Sequence, residues 1–285
     1  MGKYYYLIAG LPNISLEDNK VPYTLAEFRD ELDQALTRAD RKLIDLFFLK
    51  FENRNLISQI RFPDADLDDK GRITFDEFSE LIKALKDGKK LPKNKRIPPY
   101  FVEFIQTYLN TEEEEVLVAW EDRLAGLYYN QAIKCQNQFV SEWFELNLNI
   151  NNILTAITCR KYGFDKANFI VGDNEIAQKL RLSNARDFGL GESFESFSDI
   201  QRIAEETDLL LREKKLDVLR WQWLDDKTFF KAFEVEIVFT YLVRLEMMER
   251  WTLLDKAMGE KTLREMIGEM KTGSNQALNE FKRNN

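Results

Sequence analysis

Apolar side chains recur at spacings of three and four through most of the sequence, as in Val116, Trp120, Leu124, Leu127, Cys135, Phe139, Trp143, Leu146, Ile150, Ile153 and Ile157. Such spacing lays one apolar stripe along one side of an α-helix and does not fit the strict alternation of a half-buried strand. Start signals accompany the stripes. Thr24 with Glu27, Thr74 with Glu77, Thr111 with Glu114, Ser198 with Gln201 and Thr262 with Glu265 each pair a Ser or Thr with a Glu or Gln three residues on. That pairing closes two orphan backbone donors at a helix start. It predicts starts near residues 25, 75, 112, 199 and 263, and others are expected after Asp40, Pro99, Asp173 and Asp226. With only 12 Gly and 6 Pro in 285 residues, little in the chain breaks helices. The expected fold class is all-α, with at most one or two short strands in the aromatic opening from Lys3 to Pro12.

The segment from Glu112 to Lys161, if unbroken, is a rod of about 70 Å at 1.5 Å per residue. Gly126 and the polar Asn149, Asn151 and Asn152 are the places where it can bend. A second stripe runs through Phe230, Phe233, Ile237, Tyr241, Leu245 and Met248. Both stripes read as core, because a helix in a globular protein buries one face. The stretch Lys86 to Pro99 carries Lys89, Lys90, Lys93, Lys95 and Arg96 among three prolines. It reads as a solvated linker, or as a docking strip for an acidic partner. The Glu112 to Glu115 run suits a first helical turn, where carboxylates offset the helix dipole.

Histidine is absent and there are 2 Cys, Cys135 and Cys159, which have no CxxC partner. The commonest general base and the commonest metal ligand are therefore missing, and no nucleophile–imidazole pair can form. No Gly-rich phosphate loop ending in Lys-Ser/Thr is found, and no cofactor is expected. The net charge is -8, which disfavours a broad nucleic-acid surface. The most apolar stretch, Phe229 to Leu245, is interrupted by Lys231, Glu234, Glu236 and Arg244, so direct membrane insertion is not expected. Without a secretory start, a cytoplasmic setting is expected.

One chemical motif stands out: Asp66 to Glu77. Asp66, Asp68, Gly71, Ile73, Thr74 and Glu77 fall in register with positions 1, 3, 6, 8, 9 and 12 of an EF-hand calcium loop. Position 5 is Lys70, an ammonium where an oxygen belongs, and Pro63 stands where the incoming helix would continue. No metal site is expected on balance. If the calcium alternative holds, Asp66, Asp68, Thr74 and Glu77 are its side-chain ligands. The alternative to calcium is an acidic turn whose Thr74 caps the next helix.

The sequence also echoes itself. Phe47-Phe48-Leu49-Lys50-Phe51-Glu52 recurs as Phe229-Phe230-Lys231-Ala232-Phe233-Glu234, and Asn55-Leu56-Ile57 with Ile60 recurs as Asn152-Ile153-Leu154 with Ile157. Amides three residues apart share a helix face. If buried, Asn55, Asn149 and Asn152 must find partners and so fix how helices pack. Arg61 and Arg160 would serve carboxylates or helix C-termini. All five are otherwise ordinary surface polar residues at helix ends.

Three segments together carry a resemblance. They are Tyr4 to Pro12, Glu52-Asn53-Arg54-Asn55-Leu56 with Arg61, and Asn149-Ile150-Asn151-Asn152-Ile153 leading to Arg160-Lys161-Tyr162-Gly163. An acidic or amide residue, two spacers, Asn and an aliphatic run ending in Arg resembles the central-stalk component of the V-type and A-type rotary ATPases that is called C, or d in eukaryotes. The Tyr-rich start looks like a divergent bacterial branch known mainly as a domain of unknown function. The sequence departs from the pattern at Asn149, which replaces the acid, at Arg160, which is displaced relative to Arg61, and around Phe229 to Val238, which lacks the Asn.

The resemblance implies a funnel-like helical body of three related lobes, approximately 1–97, 98–195 and 196–285. It implies a non-catalytic central-stalk subunit that couples the rotating shaft to the membrane ion-carrying ring. The implied partners are the central-shaft subunits and that ring, with the chain peripheral to the membrane through the complex. The alternatives are the calcium-responsive module and a general helical adaptor.

Overall fold

The Glu27 amide donates to the Thr24 hydroxyl (3.1 Å) and the Glu27 carboxylate accepts from the Thr24 amide (2.8 Å). In this computed structural model that reciprocal cap opens a helix at the residue its spacing predicts. The structure describes residues 4–18, 20–63, 65–111, 119–191 and 193–255. Helix α1 is Tyr5–Gly10, α2 Leu25–Ala35, α3 Arg38–Arg61, α4 Phe75–Lys86, α5 Pro99–Asn110 and α6 Trp120–Ala132. Helix α7 is Gln138–Tyr162, α8 Glu175–Leu182, α9 Phe197–Ala204 and α10 Leu209–Thr228. A further helix, α11, is described over 235–255. No strand occurs among the described residues, and the fold is all-α.

Most of the main starts have a local cause, the exceptions being α6 and α9, which no side chain caps. Thr37 caps α3 by accepting from the Asp40 amide, and α4 repeats the reciprocal cap with Thr74 and Glu77. Pro99 opens α5, where the missing N–H costs nothing. Asn137, Asn174 and Asp208 cap α7, α8 and α10 through side-chain oxygens. Helix α7 ends at Gly163, whose φ of +73° is the left-handed geometry a C-cap requires.

Several expectations are corrected. The aromatic opening is helical from Tyr5 to Gly10, with the Tyr4 amide donating to the Phe233 carbonyl and the Tyr4 hydroxyl bonded to Asp40.

The stripe expected to run from residue 112 to 161 breaks at 133–137, between α6 and α7. Gly126 lies inside α6, and Asn149, Asn151 and Asn152 lie inside α7. Asn137 caps the new helix, and the Ser141 hydroxyl donates to the Ile133 carbonyl across the break. Asp226 starts no helix; it lies in α10, which begins after Asp208. The Phe229 to Glu234 string occupies the turn before α11, with Phe230 94% exposed, whereas Phe47 to Glu52 lies in the middle of α3. These two strings are not equivalent in the fold. Ser198 caps nothing, because α9 already starts at Phe197. The Thr111–Glu114 and Thr262–Glu265 starts and the Glu112 to Glu115 run fall wholly or partly outside the described residues.

One cluster of buried side chains runs from Tyr4 to Met247, continuous across the expected lobe boundaries. Helix α7 packs against α6, α8 and α9, while α3 packs against α4 and α6. Phe239 of α11 meets Phe47 of α3 at 6.2 Å, and Phe139 and Phe144 of α7 at 6.1 and 6.2 Å, all edge to face. This is the favourable geometry for ring quadrupoles. Three of the four long helices, α3, α7 and α11, therefore converge on one aromatic group, and Trp223 of the fourth, α10, stacks on Phe139 at 5.5 Å.

Candidate functional site: loops held by helix amides

Polar side chains on the buried faces of α3 and α7 hold the loops that follow. Glu52, Asn55, Asn149 and Asn152 are between 2 and 4% exposed, so each needs partners. The Asp68 amide donates to Asn55 Oδ1 (2.7 Å), and Asn55 Nδ2 donates to the Asp68 carbonyl (3.0 Å). In the same way the Val171 amide donates to Asn152 Oδ1 (2.9 Å), and Asn152 Nδ2 donates to the Val171 carbonyl (2.7 Å). Each amide thus satisfies both backbone groups of one loop residue.

The position one turn earlier steadies the same loop. Glu52 Oε1 accepts from the Arg72 and Ile73 amides at 2.5 and 3.3 Å. Burial pushes the Glu52 carboxyl up, against the pull of these two donors, and its pKa lies above the ordinary carboxylate value. Asn149 Oδ1 accepts from Asn174 Nδ2 (2.8 Å), and Asn174 Oδ1 accepts from the Ala177 amide at the start of α8. Both loops therefore run from an amide grip directly into a capped helix.

Two glycines permit the close approach. A Cβ on Gly71 would lie 2.4 Å from Asn55 Nδ2, and one on Gly172 would lie 2.9 Å from Leu148 Cδ2. Gly172 also has φ +77°, a conformation that disfavours a side chain.

The two arginines act nearby. Arg61 pairs with Glu121 in a two-point bridge that ties the end of α3 to the start of α6. Arg160 donates to the Ala185 and Arg186 carbonyls, both at 2.6 Å, and lies 3.7 Å over the Phe188 ring. Phe188 is buried with φ +54°, a strained backbone for an aromatic residue. The guanidinium above it and the two carbonyls beside it hold that conformation. Arg61 and Arg160 have different partners, in line with their displaced positions in the sequence.

The 66–77 segment uses its oxygens internally. Asp68 accepts from the Lys70 amide and from Arg54, both within 3.0 Å. Thr74 and Glu77 form the α4 cap, and Glu77 also accepts from Asn94. Asp66 is exposed. Lys70 extends away toward α11, with its ammonium 3.6 Å from Glu249. Among the described residues no three Asp, Glu or Cys side chains gather as a metal site would require.

The same spacing leads to a third pair of polar residues, on α11, which holds no loop and was missed from the sequence. Glu52, Asn149 and Glu246 succeed one another at intervals of 97 residues, as do Asn55, Asn152 and Glu249. The constant interval was the available signal. The echo placed at Phe229 hid it by drawing attention to aromatic residues instead. Glu246 pairs with Lys50 at 3.0 Å, and Glu249 Oε2 is buried without a hydrogen-bond partner among the described residues. Burial raises the Glu246 pKa, but Lys50, Arg250 and Lys70 outweigh it and hold the group below its ordinary value. Beside this pair Asp217, 1% exposed, accepts from Arg220, Arg250 and the Trp251 indole.

The fold and these contacts define an all-helical protein organised by polar positions repeated on its long helices. The chain belongs to the family described as a protein of unknown function, DUF2764, whose family profile matches residues 1–274. No curated protein and no solved structure matches it.

Proposed function

We propose that the chain is a non-catalytic coupling subunit of a V/A-type rotary ATPase, seated between the rotating shaft and the membrane ion-carrying ring. The observation that carries this reading is the repeated unit: a long helix, an Asn that grips the next loop at both backbone groups, and a capped short helix. It occurs at Asn55 and at Asn152, and the same interval leads to Glu249 on α11. Three long helices meeting at Phe239 are what a body of three related lobes would need at its centre. A densely packed helical core transmits load with little deformation, which suits a mechanical role. Among the described residues no helix is long and apolar enough to cross a membrane, and on this reading the chain reaches the membrane through the ring subunits.

The test is purification of the tagged chain from native membranes in mild detergent. Recovery of shaft and ring subunits in constant ratio is the expected result. Recovery of the chain alone, under conditions that keep the ATPase assembled, would refute the assignment.

A further inference from the structure

The basic stretch after α4 does more than connect helices. Its end, Lys95 to Pro99, forms one wall of a trough of about 800 Å³. Helix α3 forms another wall with Ala39, Lys42, Leu43, Leu46, Leu49 and Glu52. These positions follow the helical three-and-four spacing over about 20 Å of helix. Gln131, Cys135 and Gln136, at and beyond the end of α6, complete the lining.

The charge of the trough is opposite to that of the molecule. Arg29, Lys42, Arg72, Lys95 and Arg96 line it against only Asp45 and Glu52, in a chain of net charge -8. Some of these charges are already matched. Arg29 faces Asp45 at 3.6 Å, Arg72 faces Asp30 and Asp33 at 3.3 and 2.5 Å, and Glu52 is occupied by the loop amides. Lys42 and Lys95 are exposed and make no ion pair among the described residues. Gln131 and Gln136 make no side-chain hydrogen bond there either.

We propose that this trough docks an acidic amphipathic helix of a partner protein. The partner's apolar side lies along Ala39, Leu43, Leu46 and Pro99, which keep exposed surface, and its carboxylates meet Lys42 and Lys95. An elongated wall of aliphatic side chains suits a rod with its own apolar stripe. It offers a compact inorganic anion nothing beyond the cations. Opposite charge across the contact sets partner choice and speeds encounter. The inference stands on the shape and charge of the trough and is independent of the rotary ATPase reading.

The probe is a fluorescein-labelled 18-residue helical peptide with Leu on one face and Glu on the other, titrated by anisotropy into the full chain. A control peptide replaces every Glu by Lys. Saturable binding of the acidic peptide alone is expected, weakening at least tenfold in the Lys42→Glu, Lys95→Glu double variant. A smaller loss is expected in Lys42→Gln, Lys95→Gln, and binding should weaken as salt rises. Both variants alter only exposed side chains, and circular dichroism checks that they fold. Absence of binding, equal binding of the control peptide, or undiminished binding by the charge-reversed variant overturns the proposal. So does inorganic tripolyphosphate binding as tightly as the peptide, which would make the trough a small-anion site.

Discussion

A primary amide has one donating and one accepting end, and Asn55 and Asn152 each use both on one residue of a loop. No other short uncharged side chain supplies that pair on two separate atoms, since a Ser or Thr hydroxyl donates and accepts through one oxygen. Asn152→Ala is expected to cost about 2 to 3 kcal/mol, because the Val171 amide and carbonyl are left unpaired at a part-buried contact. Urea unfolding of the full chain measures it, and a loss below about 0.5 kcal/mol would mean that the loop is held elsewhere. The sequence marks Asn149 and Asn152 as amides sharing a helix face and Asn55 as the counterpart of Asn152, and all three are buried and bonded. It does not reveal what they bond. Asp68 lies 13 residues after Asn55 and Val171 lies 19 after Asn152, so no fixed spacing links an amide to its loop.

At the scale of elements, reciprocal caps were the most legible feature, since the Thr-x-x-Glu spacing sets the geometry by itself. Thr24 and Thr74 start α2 and α4 where expected. Asp208 and Asn137 were missed because each caps without a Glu or Gln three residues on. The apolar spacing also runs through the break at 133–137 and so conceals it. Thr74→Ala should destabilise the protein by about 1 kcal/mol. The cap also carries a pH dependence with a definite sign. The Thr74 amide, together with Asn94 and Arg96, holds the Glu77 carboxyl below its ordinary value. Its stabilising effect is therefore complete above the unfolded-state pKa of about 4.3 and fades as pH falls through the depressed folded value. The melting-temperature difference between the unmodified chain and Glu77→Gln should be largest above about pH 5 and shrink on acidification. A difference that stays constant down to about pH 2 would contradict this origin.

At the scale of the molecule, α3, α7 and α11 share Phe239, and the buried cluster continues through all three. Phe239→Ala should cost about 3 to 5 kcal/mol. It should lower one cooperative transition, followed by both far-ultraviolet and near-ultraviolet dichroism, without separating the helices into independent steps. Two resolved transitions would show that the long helices unfold separately.

The two gripped loops differ in every side chain at the point of contact: Asp68 is acidic and Val171 is aliphatic, and what they share is the peptide group. An anchor that recognises only main-chain atoms is indifferent to the residue it holds. The outward faces of these loops can therefore change composition while the helices beneath remain undisturbed.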